Sequence, residues 1–280
     1  MTLRNRIERL FDQPSREINQ DEALRNFNEF KFFINKGELR AALPHPGSPT
    51  GWRVEQWIKK GILLGFRIGE LKDYSTRDGF HFFDKSTFPL KRFSLDDKVR
   101  IVPGGSAVRD CTYLAPGVLV MPPVYINIGA FIDEGAMLDS HVLIGSCSQI
   151  GKNVHISAAT QIGGVLEPVG AMPVIIEDGA FVGGNCGIYE GAVIKKNAVL
   201  GSGVVLTRST PVYDLVNGTI LKATDDLPLI IPEGAVVVQG SRTVKTPFAE
   251  EHGISMYTPI IIKYRDEKTS ASLALENTLR

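Results

Sequence analysis

The chain has 280 residues, and its 31 lysines and arginines balance its 31 aspartates and glutamates. A net charge of zero argues against a general binder of nucleic acid, and no apolar run approaches the roughly 20 residues that span a bilayer. Because the first residues lack the apolar centre of a signal peptide and only three cysteines occur, we expect a cytoplasmic protein with reduced thiols.

Residues 1–98 carry helical patterns. An apolar stripe follows a cap at Thr2 and predicts a first helix. A second helix is predicted from Asp21 to Lys36, with Gly37 as its stop, and a third over residues 54–65. These elements predict a small helical domain that packs near the start of the next region.

A six-residue repeat runs from Val102 to Val212. An aliphatic residue recurs every six positions, and a small or β-branched residue follows each one after four positions. A helix has period 3.6 and a half-buried strand has period 2, so neither alone explains the repeat. A hexapeptide parallel β-helix does, because three hexads close one coil of 18 residues and stacked coils bury one another's faces.

The repeat breaks once. Ile162 and Ile176 are 14 residues apart, two more than two hexads allow. The excess predicts an external loop over residues 163–175. Loops that leave a rigid scaffold often carry binding residues, and a tolerated insertion is the alternative.

After Val212 the repeat fades. Strands are predicted over residues 227–231, 235–238 and 259–264, and a terminal helix over 270–280. A solenoid needs its open end covered, so we expect this tail to form a cap. The sequence therefore predicts a mainly β protein with a helical domain over 1–98, a parallel β-helix over 99–215 and a C-terminal β-rich cap over 216–280.

The three cysteines form no metal-ligand cluster in the sequence. Cys111 and Cys147 are two coils apart in one column, which separates their Cα atoms by about 9–10 Å, beyond the reach of a disulfide. Cys186 occupies a small inward position. We therefore expect core thiols and no metal site.

Several strings resemble one family closely. Residues 121–139 read Met-Pro-Pro-Val-Tyr-Ile-Asn-Ile-Gly-Ala-Phe-Ile-Asp-Glu-Gly-Ala-Met-Leu-Asp and resemble the tetrahydrodipicolinate N-succinyltransferases, as do residues 144–155 and 163–168 and the flanking strings 56–60 and 83–85. The resemblance implies a left-handed β-helix, a homotrimer with active sites between neighbouring subunits, and no permanently bound cofactor. It also implies transfer of a succinyl group from succinyl-CoA to ring-opened tetrahydrodipicolinate, in lysine and diaminopimelate biosynthesis.

Two residues match functional positions of that family. Asp139 matches a position for substrate binding and catalysis, and Arg100 matches a substrate-binding position. An amine that attacks a thioester must lose a proton, and a dicarboxylate substrate needs cationic partners, so both residue types suit the reaction. Without the resemblance, Asp139 is a corner residue and Arg100 a solvated charge.

One departure concerns a second acid, which better-known family members carry where this chain has Gly187. Glu190 matches a different position of the family pattern and is interpreted as structural. Glu167, in the external loop, could approach the site from another subunit. The departure bears on the mechanism and not on the class of reaction.

Other functions remain open at this stage. An acetyl-CoA enzyme for the same step is the nearest alternative, and a β-helix that binds without turnover is another. His141 and His155 also invite comparison with zinc carbonic anhydrases of this fold, but their spacing does not suit a zinc site. As a catalytic histidine, His141 is the better candidate of the two.

Overall fold

The computed structural model describes residues 1–76 and 79–265. The helix predicted over 270–280 lies outside the described residues. In the part of the chain that is described, no helix is both long enough and apolar enough to cross a membrane.

Three helices form the N-terminal part, as predicted. They are α1 (Leu3–Asp12), α2 (Gln20–Asn35) and α3 (Gln56–Ile68). The Thr2 hydroxyl accepts a hydrogen bond from the backbone N–H of Asn5 and caps α1. The helices share one buried cluster, which includes Ile7, Leu10, Phe27, Phe30, Trp57 and Ile62.

Short strands and turns complete this part. The strands are β1 (Ala42–Pro44), β2 (Trp52–Val54), β3 (Leu71–Asp73) and β4 (Phe83–Lys85), and 3-10 turns occur at Ser15–Glu17 and Leu95–Asp97. Strands β1 and β2 form one antiparallel hairpin, and β3 and β4 form another.

The central part is a left-handed parallel β-helix with three faces. The first face contains β5 (Arg100–Ile101), β8 (Leu119–Val120), β11 (Met137–Leu138), β14 (His155–Ile156), β17 (Phe181–Val182) and β20 (Val199–Leu200). The second face contains β6 (Ala107–Val108), β9 (Tyr125–Ile126), β12 (Leu143–Ile144), β15 (Gln161–Ile162), β18 (Gly187–Ile188) and β21 (Val205–Leu206). The third face contains β7 (Tyr113–Leu114), β10 (Phe131–Ile132), β13 (Gln149–Ile150), β16 (Ile175–Ile176) and β19 (Val193–Ile194).

The repeat predicts the core correctly. The second residue of each short strand points inward, and Ile126, Ile132, Leu138 and Ile144 have no exposed surface. The small inward residues, such as Ala136 and Cys186, fill the narrow corners of the same core. All three cysteines are free and buried, and Cys111 and Cys147 pack against the helical cluster.

The two ends of the repeat differ from the prediction. Ile101, not Val102, aligns with Val120 on the first face, because the turn at Gly104 and Gly105 adds one residue before β6. Val212 is buried, but it does not extend the third face. Residues 207–229 leave the coil, and β24 (Ile230–Ile231) takes the place beside β19 instead.

The C-terminal part caps the open end. Its strands are β22 (Val212–Asp214), β23 (Thr219–Leu221), β25 (Ala235–Thr243) and β26 (Ser255–Tyr264), and α4 (Pro247–Glu251) joins the last two. Strand β25 extends the first face beside β20 and pairs with β26 in a long hairpin. The Tyr257 hydroxyl hydrogen-bonds to both backbone polar groups of Val205, which covers the free edge of β21.

The N-terminal part lies against the third face. The Arg40 guanidinium stacks 3.6 Å from the Phe131 ring centroid and donates to the Gln149 amide oxygen at 2.8 Å. Burial lowers the pKa of Arg40 to about 10. A carboxylate at Glu177 accepts hydrogen bonds from Trp52 and Lys195, each at 2.8 Å. These contacts leave the first and second faces available to a functional site.

Candidate active site

Asp139 lies at the corner between the first and second faces. It follows β11 directly, and its backbone N–H donates to the Ile156 carbonyl on the next coil at 2.9 Å. Its side chain is 24 % exposed. The carboxylate is therefore fixed in place by the coil and still open to a ligand.

His155 is the neighbour that the sequence did not identify. Its Nε2 lies 2.9 Å from Oδ2 of Asp139, and its side chain is only 10 % exposed. His141, the histidine favoured from the sequence, sits at the exposed corner with φ of 65°, and its backbone N–H donates to Pro123. Asp139 and His155 are 16 residues apart, which is two residues fewer than one coil of 18. This spacing is the signal in the sequence that predicts their contact.

Arg100 shares the first face with this pair. The register aligns Arg100 with Leu119 and then with Met137, two residues before Asp139. Two strand spacings separate the coils of Arg100 and Met137 by roughly 10 Å along the axis. Arg100 is exposed, and among the described residues no hydrogen bond or ion pair joins it to Asp139. The structure thus puts both on one face without bringing their side chains into contact.

Gly187, the position at which the resemblance implies a second acid, lies under an aromatic ring. A Cβ atom at Gly187 would stand 2.6 Å from Cε2 and 3.0 Å from the hydroxyl of Tyr189. Gly163, on the preceding coil, leaves room for the same ring, because a Cβ there would meet Cδ1 of Tyr189 at 2.9 Å. An acidic side chain at 187 fits only if Tyr189 moves.

The external loop covers a cleft of about 1040 Å³ beside this ring. The loop spans residues 163–174, between β15 and β16, and ends one residue earlier than predicted. The cleft lining includes Glu167, Met172, Tyr189, Glu190, Arg208 and Asp225. Glu190 has φ of 53° and accepts the backbone N–H of Arg208 at 2.6 Å, which agrees with a structural role.

A buried lysine anchors the external loop. Lys59, on α3, has no exposed surface, and its Nζ donates to the Ala171 carbonyl at 2.6 Å. Burial lowers the pKa of Lys59, since the ammonium group loses its hydration. Burial also raises the pKa of the neighbouring Cys147 thiol to about 12.

The arrangement of Asp139 and His155 suits proton transfer. Within residues 1–76 and 79–265, no three His, Cys, Asp or Glu side chains meet in a group that could hold a metal ion. Asp139 offers a carboxylate that can bind an amine and accept its proton. His155 offers a ring nitrogen to that carboxylate.

Two family models match the chain. One is described as tetrahydrodipicolinate N-succinyltransferase N-terminal and matches residues 2–68, and the other, hexapeptide repeat of succinyl-transferase, matches residues 173–208. These matches fall on the helical part and on the β-helix.

Curated relatives match over most of the chain. The 2,3,4,5-tetrahydropyridine-2,6-dicarboxylate N-succinyltransferase of Variovorax paradoxus is 41 % identical over 251 residues, covering 88 % of this chain and 86 % of its own. The enzymes of that name from Paramagnetospirillum magneticum and Idiomarina loihiensis are 39 % and 40 % identical, and each match covers 88 % of this chain and at least 85 % of the relative.

One solved structure is also similar. It is a putative 2,3,4,5-tetrahydropyridine-2-carboxylate N-succinyltransferase from Campylobacter jejuni, with a TM-score of 0.46 and 14 % identity. The match covers 85 % of this chain and 62 % of the other. This likeness is too weak to carry an argument about the site.

Proposed function

We propose, since this chain belongs to the family of 2,3,4,5-tetrahydropyridine-2,6-dicarboxylate N-succinyltransferases, that it transfers a succinyl group from succinyl-CoA to the amino group of ring-opened tetrahydrodipicolinate. The observation that carries the proposal is identity of about 40 % with enzymes of that name over 88 % of the chain. The chain is a CoA-dependent N-acyltransferase of lysine and diaminopimelate biosynthesis. Succinyl-CoA is a co-substrate and not a resident cofactor.

Asp139 binds the substrate amino group and accepts its proton. The exposed quarter of its side chain supports this role, because a fully buried carboxylate would be closed to a ligand. Arg100 binds a carboxylate of the substrate, for which a guanidinium offers two parallel N–H donors. Its exposure at the first coil of the same face supports that assignment.

The chemistry follows from these two groups. The amine nitrogen forms a bond to the thioester carbon, and its proton passes to Asp139. Negative charge that develops on the thioester oxygen is stabilised by backbone N–H groups at the coil corners. The carbon–sulfur bond then breaks, and the CoA sulfur takes up the proton from Asp139 and leaves as a thiol.

The active form is a homotrimer. The second face supports this, because Tyr125 is 36 % exposed there and Leu143 is half-buried, which leaves apolar side chains for a second copy to cover. A three-fold axis beside the second face brings the corner of Asp139 toward the neighbouring subunit. The site then lies between subunits.

The chain divides into a helical domain over 1–98, a β-helix over 99–215 and a cap over 216–280. In this division β24 and β25 belong to the cap, although they pair with β19 and β20 of the β-helix. The enzyme works in the cytoplasm on small molecules, without a nucleic-acid or membrane partner.

Release of free thiol tests the reaction. Native protein is mixed with tetrahydrodipicolinate and either succinyl-CoA or acetyl-CoA, and each mixture has a control without acceptor. We expect acceptor-dependent thiol release with succinyl-CoA and far less with acetyl-CoA. Release with acetyl-CoA alone would assign the acetylating reaction. No release with either from a folded protein would favour a β-helix that binds without turnover and would reject the proposal.

A further inference from the structure

The register of the first face sets Asp139 and His155 on a diagonal. Strands β11 and β14 pair with Met137 opposite His155 and Leu138 opposite Ile156. The inward residues Leu138 and Ile156 lie one above the other on neighbouring coils. The outward side chain that follows Leu138 is Asp139, and the outward side chain that precedes Ile156 is His155, so the two face each other. This diagonal brings Nε2 of His155 to 2.9 Å from Oδ2 of Asp139.

The imidazole is held on more than one side. Phe181 lies one coil further along the same column. Its ring centroid is 5.1 Å from that of the imidazole, and the two ring planes meet nearly edge-on at 79°. The backbone N–H of His155 donates to the Ala180 carbonyl at 3.1 Å. With only a tenth of its side chain exposed, the ring has little freedom to turn away from the carboxylate.

Burial differs between the two partners in a useful way. The His155 side chain is 10 % exposed, whereas the Asp139 side chain is 24 % exposed. One carboxylate oxygen therefore faces a fixed ring nitrogen, and the carboxylate still has surface open to solvent. An isolated carboxylate at a corner would instead rotate about its terminal torsion, which is broad.

We infer that His155 is a positioning residue for Asp139: its imidazole donates the Nε2–H to Oδ2 and leaves Oδ1 to receive the amino group of the substrate. This inference rests on the proposed function. The Nε2 proton stays on the ring throughout the reaction. The substrate amine donates an N–H to Oδ1, and that proton passes to Oδ1 as the nitrogen bonds to the thioester carbon. The carbon–sulfur bond then breaks, and the proton returns from Asp139 to the departing CoA sulfur. His155 neither gains nor loses a proton.

The size of the effect follows from geometry. A displacement of about 1 Å at a reacting group costs up to about a hundredfold in rate. Loss of the Nε2 donor frees the Asp139 carboxylate without removing it, so the loss should be smaller than that of the carboxylate itself. We expect kcat to fall by about tenfold to a hundredfold, with KM for succinyl-CoA unchanged.

Two substitutions at His155 separate positioning from packing. His155→Gln keeps an N–H donor at about the distance of Nε2, whereas His155→Phe keeps the ring against Phe181 and removes the donor. We expect His155→Gln to retain kcat within about threefold and His155→Phe to show the full loss. Equal loss in both variants, or full activity in His155→Phe, would overturn the inference. His252→Phe, which removes an exposed histidine of the cap, is the matched control.

A double-mutant cycle tests whether His155 acts through Asp139. In an Asp139→Asn background, His155→Phe should have no further effect on kcat, because there is no carboxylate left to position. Losses that multiply would show that His155 acts independently and would overturn the inference. The same loss in His141→Gln as in His155→Phe would assign the effect to the corner as a whole and would also overturn it.

A spectroscopic readout needs no turnover. Nitrogen-15 labelling of histidine should show a protonated Nε2 at His155 in the native protein, with a signal that shifts in Asp139→Asn. A proton on Nδ1 instead, or no shift, would overturn the inference even if the enzyme turns over. A native protein that shows the shift but releases no thiol would contradict the proposed function and leave the contact established.

Discussion

At the scale of single residues, Lys59 links the helical part to the external loop. Its ammonium group is buried and has the Ala171 carbonyl as a hydrogen-bond partner at 2.6 Å. Burial lowers its pKa from the ordinary 10.5, while the nearby Cys147 acts in the opposite direction. A cation with a lowered pKa in the folded state makes stability depend on pH.

The Lys59→Met variant should be less stable than native protein, and the difference in stability should grow as the pH rises. Between the lowered pKa of the folded state and the ordinary value near 10.5, the unfolded chain holds a proton that the folded chain has released. Stability from Lys59 therefore increases with pH through that window. The measurement is the difference in melting temperature between native protein and Lys59→Met, at about pH 7 and about pH 9.5. Lys60→Met is the control, and a difference that shrinks toward pH 9.5 would contradict the prediction.

Asp139 and His155 show how far residues can be assigned from sequence. The string that ends at Asp139 marked it as a candidate, and the structure places it at an accessible corner. The sequence does not single out His155, because its spacing of 14 residues from His141 carries no sign of a contact with Asp139. The contact of His155 becomes visible only when residues are compared along the diagonal of neighbouring coils.

At the scale of elements, the external loop is packed closely where it leaves the coil. A Cβ at Gly145, the corner after β12, would lie 2.5 Å from the Gly163 carbonyl carbon and nearer still to the Gly164 nitrogen. The Val165 N–H also donates to the Ser146 carbonyl at 3.1 Å. The atoms that a Cβ at Gly145 would meet belong to the backbone, so no side chain could move aside to make room for it.

Gly145→Ala should therefore push the start of the external loop outward. Overpacking of this kind costs about 1–3 kcal/mol. Chemical denaturation at one protein concentration measures the loss. Gly170→Ala, in the same loop, is the control, because its Cβ would meet Gln56 at an ordinary 3.5 Å. Equal stability of the two variants would contradict the account of this packing.

The elements of the β-helix were predictable, and its ends were less so. A strict period of six places every inward residue from Val108 to Leu206 in the core. The period alone does not distinguish a residue of the coil from an aliphatic residue that matches the six-residue spacing by coincidence. Val102 keeps the six-residue step although a glycine turn after it adds one residue, and Val212 keeps the step inside a hairpin that leaves the coil. Pairing partners far along the chain, such as β24, decide both places.

At the scale of the whole molecule, the second face is a part of the β-helix that a single subunit leaves exposed. The third face packs against the helical part through Arg40 and Trp52. The second face carries Tyr125 and Leu143 outward, with apolar surface only partly covered. We propose that copies of the chain cover this face around a three-fold axis.

Tyr125→Glu with Leu143→Glu should break the trimer and abolish turnover. Light scattering on a sizing column should give three times 30.6 kDa for the native protein and a single subunit for the double variant. Turnover should be lost with the assembly, because we propose a site that lies between subunits. Leu71→Glu, at a residue 76 % exposed in the N-terminal part, is the control. A double variant that stays trimeric, or an active monomer, would contradict this arrangement.

We propose that the Asp139 carboxylate takes the proton of the attacking amine, and one kinetic comparison tests this role. The measurement is kcat of Asp139→Asn against native protein, with succinyl-CoA and tetrahydrodipicolinate at saturation. A lost general base predicts a fall of about a hundredfold or more, with the melting temperature retained. A kcat within about threefold of native would contradict the claim and move the proton acceptor elsewhere.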